Sequence, residues 1–203
     1  MFPLGVLKKK QLKILKLTFT GNIVNEASTA SNTQILQDGT VSIVGNKLNF
    51  NGSSDCSVKI TQLVGNDWFN LQRDFDLTFD LVIASNTTNG EIFTFRDSTD
   101  SNQLKLIYSI PSSGFSELRL WTSSPFVVTG LVSGFGVIPK NTVLNCELQF
   151  RKTTMKFFIN GTLAIDVPVA PVYQNIQRVL WLGGAFNENT IIGSLDNVEM
   201  TLL

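Results

Sequence analysis

The segment ELRLWTS combines charged and aromatic side chains in the pattern of a carbohydrate-binding surface. Glu117, Arg119 and Trp121 alternate with two leucines, so in a β-strand they lie on one face and the leucines on the other. Sugar binding needs an aromatic ring against the C–H groups of the sugar and polar groups that hydrogen-bond to its hydroxyls. These three residues are therefore a candidate ligand-binding set. The alternative is that Trp121 is covered by a loop or by another subunit.

The chain contains no histidine. Serine and cysteine nucleophiles are commonly activated by an imidazole base, and catalytic zinc sites commonly use two or more histidines. Two cysteines without a histidine do not make a zinc site. The sequence therefore excludes these classes of enzyme.

Glycoside hydrolysis needs only a pair of carboxylates flanking one bond. In EIFTFRD, simple alternation places Glu91 on one face with two phenylalanines, where a second acid would be required. Asp76 and Asp80 share a strand face but are separated by Thr78, and we expect them to be solvated outer-face residues. No catalytic residue is predicted, and we expect that the protein is not an enzyme.

The segment RDSTDSN offers oxygen ligands of the kind that Ca²⁺ prefers. Asp97, Asp100 and Asn102 fall within six residues of one another. The same residue types are also ordinary turn formers. We expect no cofactor and no metal, with Ca²⁺ at these three residues as the weaker alternative.

Period-two alternation of apolar residues recurs along almost the whole chain after residue 12, and it predicts the strands that position these side chains. In FDLTFDLVIAS it predicts that five residues face inwards: Phe75, Leu77, Phe79, Leu81 and Ile83. Strands of this kind are separated by Gly-, Asn-, Asp- and Pro-containing turns at roughly ten-residue spacing, which is typical of a β-sandwich.

The segment KFFINGTLAIDVP predicts a tight β-hairpin. Asn160-Gly161 tolerates the positive φ angles that a type I′ turn needs at both central positions. Alternation on the two sides of the turn predicts one apolar face, formed by Phe157, Ile159, Leu163, Ile165 and Val167.

The charge is unevenly distributed, although the formal net charge is zero. Five lysines give residues 1–16 a charge of +5, so residues 17–203 carry −5: Lys8, Lys9, Lys10, Lys13 and Lys16. We divide the chain into a basic N-terminal arm or first strand, residues 1–16, and a single β-sandwich domain, residues 17–203. The arm is either solvated or docks on the acidic surface of a partner. No basic stripe with interleaved aromatics follows, so nucleic acid is not an expected partner.

The opening MFPLGVLKKK places apolar residues before the lysines, the reverse of the order in a signal peptide, and is too short to span a membrane. We expect a soluble protein that is neither exported by a signal peptide nor inserted in a membrane.

Cys56 and Cys146 each lie on the apolar face of a predicted strand, which favours two buried thiols over a disulfide. The uncharged segment 123–138 is either a strand with a long packed loop or a contact surface for a partner.

Several segments resemble, in order, those of laminin-G-like and concanavalin A-like sandwich domains: LKLTFTGNIVNEAS, GNKLNFNGSSDCSVKI, FDLTFDLVIAS, GEIFTFRD, VLNCELQFRKTTMKFFINGTLAI and VLWLGGAFNENTIIGSLDNVEM. The Asn160-Gly161 hairpin is similar to the strand–Asn-Gly–strand element of that family, and GSLDNVEM resembles its closing G-x-I-D-E-V strand. The resemblance covers residues 12 to 203. It implies an all-β, two-sheet antiparallel jelly-roll sandwich of six or so strands per sheet, in which Asp196 is structural.

LTFTGN followed by LNFNG also resembles segments of bacteriophage tail and capsid-surface proteins. This resemblance implies a non-catalytic binding or assembly module on the virion surface, made in the host cytoplasm, as a capsid decoration or tail-fibre component. The implied partners are other virion proteins, further copies in a homo-oligomer, and host surface glycans. The alternative function is that of a carbohydrate-binding lectin, and a glycoside hydrolase comes third.

Overall fold

The computed structural model describes residues 11–27, 30, 33–63, 73–97, 103–110, 116–122, 131–132, 138–151, 153–168, 178–184 and 189–203. These residues form sixteen β-strands: β1 (Leu12–Phe19), β2 (Ile23–Asn25), β3 (Thr33–Asp38), β4 (Ser42–Val44), β5 (Lys47–Asn51), β6 (Ser57–Gln62), β7 (Phe75–Ile83), β8 (Asn89–Asp97), β9 (Gln103–Ser109), β10 (Glu117–Thr122), β11 (Leu131–Val132), β12 (Leu144–Phe150), β13 (Thr154–Ile159), β14 (Thr162–Pro168), β15 (Arg178–Gly183) and β16 (Ile192–Leu202). The described part of the chain contains no helix with the length and hydropathy of a membrane span.

The strands form two antiparallel sheets. The nine-stranded sheet has the order β14-β13-β12-β7-β16-β1-β2, with β5 beside β16 and β4 beside β5. The seven-stranded sheet has the order β11-β10-β9-β8-β15-β6-β3. The predicted two-sheet β-sandwich is confirmed. Both sheets contain more strands than the six or so expected, because β2, β4 and β11 have only two or three residues and are too short to show alternation.

The core lies between the sheets and consists of the alternate residues of their strands. In β7 the predicted inward set is buried and the intervening residues are partly exposed. The ring of Phe75 stacks on Phe150 of the neighbouring strand at 5.1 Å and meets Phe95 of the opposite sheet at 5.5 Å. Aromatic pairs at such distances add to the free energy of burying the rings. The inward residues of the alternating pattern therefore pack the two sheets against each other.

The predicted Asn-Gly hairpin is confirmed, but the predicted inward position of one of its residues, Leu163, is wrong. Asn160 and Gly161 have φ angles of 50° and 74°, as a type I′ turn requires. A β-bulge shifts the register so that Phe158 lies opposite Leu163. Leu163 is consequently 45% exposed, and its predicted inward position is wrong because an extra residue in one strand reverses the side-chain alternation.

A second bulge overturns the predicted face of Glu91. Glu91 lies opposite Ile107 and Phe93 lies opposite Leu106, so Ile92 is the extra residue of β8. Ile92 and Phe93 both point into the core, with 0% and 1% exposure. Glu91 therefore lies on the outer face with Thr94, and not in step with Phe93 as simple alternation predicts.

Both cysteines are free and buried, as predicted. Burial raises the pKa of the Cys56 thiol. Burial, together with the nearby negative charge of Asp80, raises the pKa of the Cys146 thiol well above its usual range. The two thiols therefore behave as small apolar core side chains.

Of the apolar segment 123–138, the structure describes Leu131–Val132 as the short strand β11 and Ile138 as a core residue with 2% exposure. The remaining positions of that segment lie outside the described residues. The predicted choice between a packed loop and a contact surface stays open for them.

Candidate functional site

The outer face of the seven-stranded sheet bears a row of polar and aromatic residues on neighbouring strands. Pairing runs from Lys59 to Trp181, from Trp181 to Thr94, from Thr94 to Lys105, and from Lys105 to Trp121. The row therefore crosses five strands, β6, β15, β8, β9 and β10. Local alternation cannot reveal such a row, because its members come from segments far apart in sequence.

A buried ion pair lies in the middle of this row. Lys105 Nζ lies 2.5 Å from Glu91 Oε1, and the Thr94 hydroxyl donates to Glu91 Oε2 at 2.9 Å. Glu91, Thr94 and Lys105 are only 3%, 0% and 8% exposed. Water screens such a pair little, so both groups are held firmly in place.

A second charged pair on the same face contains two of the residues predicted from sequence. Arg119 is paired with Glu117 through its guanidinium nitrogens Nε and Nη2, and the Ser109 hydroxyl donates to Glu117 at 3.3 Å. Glu117 is 8% exposed. The structure thus places Glu117 and Arg119 on the outer face, opposite Leu118 and Leu120, as the sequence predicts.

Trp121, the third predicted residue, follows in β10 with its backbone paired to Lys105. The position of its side chain lies outside the described residues. A second tryptophan of the same row, Trp181, is 7% exposed, and the ammonium of Lys59 lies 5.3 Å from its ring centroid. Such a cation–π contact contributes about 0.5–2 kcal/mol. Trp181 thus has a place in the charged row that the sequence did not reveal.

A cavity of about 220 Å³ lies at one end of this face, beside Glu91. It is lined by amide, hydroxyl and carboxylate groups around one aliphatic side chain: Asn89, Gly90, Glu91, Ile107, Ser109 and Asn189. The Asn189 carbonyl accepts a hydrogen bond from Glu91 N at 2.8 Å, which fixes one wall against β8. Gly90 is required there, since a Cβ atom would lie 2.3 Å from the backbone of Thr190. The lining suits a small polyhydroxylated ligand.

The predicted calcium ligands are only partly described. Asp97 ends β8, with its backbone paired to Arg178, whereas Asp100 and Asn102 lie outside the described residues. Within the described ranges, no three His, Cys, Asp or Glu side chains are grouped so that they could bind a metal ion. The calcium alternative stays a prediction.

The basic arm is described from residue 11 onwards. Lys13 and Lys16 lie in β1 and form ion pairs within the chain, with Glu199 at 2.6 Å and with Glu26 at 3.0 Å. Lys8, Lys9 and Lys10 lie outside the described residues. Two of the five lysines predicted to dock on a partner therefore contact acidic residues of their own domain.

Sequence reasoning missed the residues that complete this face. Simple alternation predicts Glu91 in step with Phe93, and it does not reveal that Thr94 and Lys105 contact Glu91 or that Trp181 lies in the same row. The alternating run QLKLIYS places Lys105 on a polar face, which is the one sequence signal that could have found it. The bulge at Ile92 has no such signal.

No protein-family model matches the sequence, and no curated protein matches it. Solved structures do match. The binding domain of Paraclostridial Mosquitocidal Protein 1 is 12% identical with a TM-score of 0.69, and the match covers 93% of this chain and 48% of that one. A botulinum neurotoxin type C structure, whose cell entry depends on two ganglioside molecules, is 18% identical with a TM-score of 0.66, covering 94% of this chain and 47% of that one. The chain thus spans about half the length of these toxin chains.

Domain 4 of AbnA, an extracellular arabinanase from Geobacillus stearothermophilus, was solved with arabinotriose. It is 16% identical with a TM-score of 0.64, and the match covers 96% of this chain and 94% of the domain. An alginate lyase solved with an alginate trisaccharide is 14% identical with a TM-score of 0.59, covering 93% of this chain and 98% of the lyase. At these identities the likeness concerns the fold. The chain has a β-sandwich fold similar to the folds of these four structures.

Proposed function

We propose that the protein is a non-catalytic carbohydrate-binding module and that the 220 Å³ cavity beside Glu91 is its sugar site. The observation that supports this most directly is the set of hydrogen-bonding side chains in the cavity lining, beside the buried ion pair of Glu91 and Lys105. Asn89, Asn189 and Ser109 offer hydrogen-bond donors and acceptors for hydroxyl groups, and Ile107 offers an apolar surface for ring C–H groups. The structural neighbours solved with arabinotriose and with an alginate trisaccharide support a saccharide as the ligand.

The carboxylates of this face favour binding over hydrolysis. Glu91 is the one carboxylate among the described residues that line the cavity, whereas a typical glycosidase places two acids on either side of the scissile bond. Glu117, on β10, instead pairs with Arg119 of the same strand and accepts a hydrogen bond from Ser109 of β9. An alginate lyase among the neighbours shows that the fold also occurs in enzymes. A test for released reducing sugar distinguishes the two functions.

The binding test is a glycan array followed by titration calorimetry with the best ligand. We expect Asn89→Ala and Asn189→Ala each to weaken binding about five- to tenfold, since each removes one or two hydrogen bonds. Asn86→Ala is the matched control, because Asn86 is exposed and lies outside the cavity lining. Unchanged affinity in both cavity variants would contradict the proposed site.

Trp121→Ala tests how far the sugar site extends along β10. Loss of glycan binding in this variant would show that the ligand reaches from the cavity across the Glu117–Arg119 pair. The sequence predicts this loss, because a tryptophan ring offers the best stacking surface for a sugar.

The assembly role is a second proposal, motivated by the resemblance to phage tail and capsid-surface proteins and by the basic start of the chain. In it, copies of the protein associate with one another and with other virion proteins through residues 1–16, at the virion surface and without a cofactor. Light scattering of the full chain and of a chain lacking residues 1–10 tests it. A monomer in both cases would contradict the role.

A further inference from the structure

A larger cavity, of about 400 Å³, lies on the outer face of the other sheet. It is formed by the central strands β7, β12 and β16 together with the β13–β14 hairpin, and it is lined by Thr78, Phe79, Asp80, Asn145, Cys146, Glu147, Phe158, Gly161, Asn197 and Glu199. None of these residues lines the cavity beside Glu91. Because each cavity lies on the outer face of a different sheet, the two cavities lie on opposite faces of the sandwich.

The carboxylate of Asp80 is held in the cavity by two asparagine side chains. Asn145 Nδ2 donates to Asp80 Oδ1 at 2.5 Å, and Asn197 Nδ2 donates to Asp80 Oδ2 at 2.6 Å. Asn197 has a φ of 50° and lies in the bulge between Asp196 and Glu199. In this geometry the two amide oxygens point away from Asp80. They are acceptors for ligand hydroxyl or ammonium groups, fixed before a ligand arrives.

The hairpin wall is fixed by reciprocal hydrogen bonds to the sheet. Asn145 N donates to Asn160 Oδ1 at 2.9 Å, and Asn160 N donates to Asn145 O at 2.8 Å. These bonds hold Gly161 at the rim of the cavity. They also hold the half-buried Phe158, beside the exposed Leu163, as an apolar wall. An aromatic wall of this kind suits the C–H face of a sugar ring.

Two further carboxylates flank the floor of the cavity. Glu147 and Glu199 lie directly opposite Thr78 on its two neighbouring strands, so their Cβ atoms lie about 5 Å on either side of it. Lys13 neutralises Glu199, whereas Glu147 accepts only a neutral amide hydrogen bond, from Gln149 at 2.7 Å. Asp80 and Glu147 therefore keep the lining acidic. Such a lining repels sugars that carry a carboxylate or sulfate group and attracts a sugar that carries an ammonium group.

From this geometry we infer that the 400 Å³ cavity is a second saccharide-binding site, specific for an amino sugar with a free ammonium group. The sugar stacks on Phe158, its ammonium group contacts Glu147, and its hydroxyls contact Asp80 and the two asparagines. This site is independent of the one beside Glu91, so either can fail alone.

The experiment titrates the full chain with three probes at about pH 6, where an amine of pKa near 8 is protonated. The probes are a glucosamine oligosaccharide, its fully N-acetylated counterpart and a uronic acid oligosaccharide. We expect the glucosamine probe to shift the side-chain amide NMR signals of Asn145 and Asn197, and the other two probes to shift them less. No shift with glucosamine, or equal shifts with all three probes, would overturn the inference.

Variants then assign the site. Asp80→Asn is expected to weaken binding of the glucosamine probe about tenfold, because it removes a charged acceptor. Asp166→Asn is the matched control, since it removes the same charge from an exposed residue of β14 that is paired with Lys156 at 3.3 Å. Equal losses in Asp80→Asn and Asp166→Asn would reduce the effect to long-range charge and overturn the site.

Phe158→Leu tests the aromatic wall with a change that keeps an apolar side chain of similar size. We expect it to weaken the glucosamine probe several-fold and to leave the thermal unfolding midpoint nearly unchanged, since Phe158 is only half-buried. Unchanged affinity would exclude stacking on this ring and contradict the proposed binding mode.

Discussion

Lys105 Nζ lies 2.5 Å from Glu91 Oε1 on the outer face of the seven-stranded sheet, and both residues are more than nine-tenths buried. An outer face normally leaves charged side chains in water, so an ion pair this deeply buried is unusual. The bulge at Ile92 brings Glu91 to that face, and antiparallel pairing brings Lys105 opposite Thr94. Glu91, held by this pair, is part of the lining of the 220 Å³ cavity.

Removing one partner of this pair should destabilise the fold strongly. We expect Lys105→Met to lower the free energy of unfolding by about 3–5 kcal/mol, because it removes the ammonium group that is paired with a buried carboxylate. The double variant Lys105→Met/Glu91→Gln should recover part of that loss, since it removes the second charge and keeps an acceptor for Thr94. Urea unfolding of the variants measures both effects.

Lys156→Met is the control for this prediction, because Lys156 pairs with Asp166 at 3.3 Å in an exposed position. Its effect should be within about 1 kcal/mol. Equal losses for Lys105→Met and Lys156→Met would show that burial does not strengthen the Lys105–Glu91 pair.

Two glycines should respond to alanine for different reasons. Gly161 has a φ of 74° with open space around its missing Cβ, so Gly161→Ala should cost about 1–2 kcal/mol through backbone strain alone. At Gly90 a Cβ would lie 2.3 Å from backbone atoms of Thr190, which cannot move aside as a flexible side chain can. Gly90→Ala should therefore cost more than Gly161→Ala and should also weaken glycan binding. Chemical denaturation and calorimetry measure the two effects; the reverse order of stability would be inconsistent with the packing.

The two thiols should be inert in the folded protein. Burial raises the pKa of Cys56, and burial with the charge of Asp80 raises that of Cys146. Since the thiolate is the reactive form, neither should react with a thiol reagent at about pH 8, where an exposed cysteine reacts readily. Both should react in concentrated guanidinium chloride. Modification of either residue in the native protein within minutes would contradict this expectation.

The ion pair between Lys16 and Glu26 should be visible in an acid titration. The Lys16 ammonium, 3.0 Å away, lowers the pKa of Glu26 below its ordinary 4.5, and the same contact raises the pKa of Lys16 above 10.5. A lowered acid pKa stabilises the fold above the unfolded-state value, and the effect is lost as pH falls through the folded-state value. A raised lysine pKa stabilises below the unfolded-state value and is lost at higher pH.

The pair therefore stabilises the fold fully between about pH 4.5 and 10.5. In Lys16→Met, the NMR-detected pKa of the Glu26 carboxyl should rise towards its ordinary value. An unchanged Glu26 titration in this variant would show that the hydrogen bond is not formed in solution.

Much of the fold could be predicted because its local signals are strong. Strand β7 alternates over nine residues, so a single face is defined however the strand pairs. The Asn160-Gly161 turn was equally clear, because few residue pairs tolerate two positive φ angles. Alternation alone predicts the wrong face for Leu163 and for Glu91, and the reason is the same. Each residue lies next to a β-bulge, and the one extra residue of the bulge reverses the side-chain alternation without changing the local composition.

The sequence by itself determined an all-β chain whose strands have one apolar face each, the absence of histidine chemistry, and the position of Glu117 and Arg119 on the outer face of their strand. Only the tertiary structure decided that Glu91 meets Lys105, and that Asp80 meets Asn145 and Asn197, which are 65 and 117 residues away from it. Strand pairing sets these contacts. It depends on which sheet edges meet and in which register, and side-chain alternation within one strand contains no information about its partner.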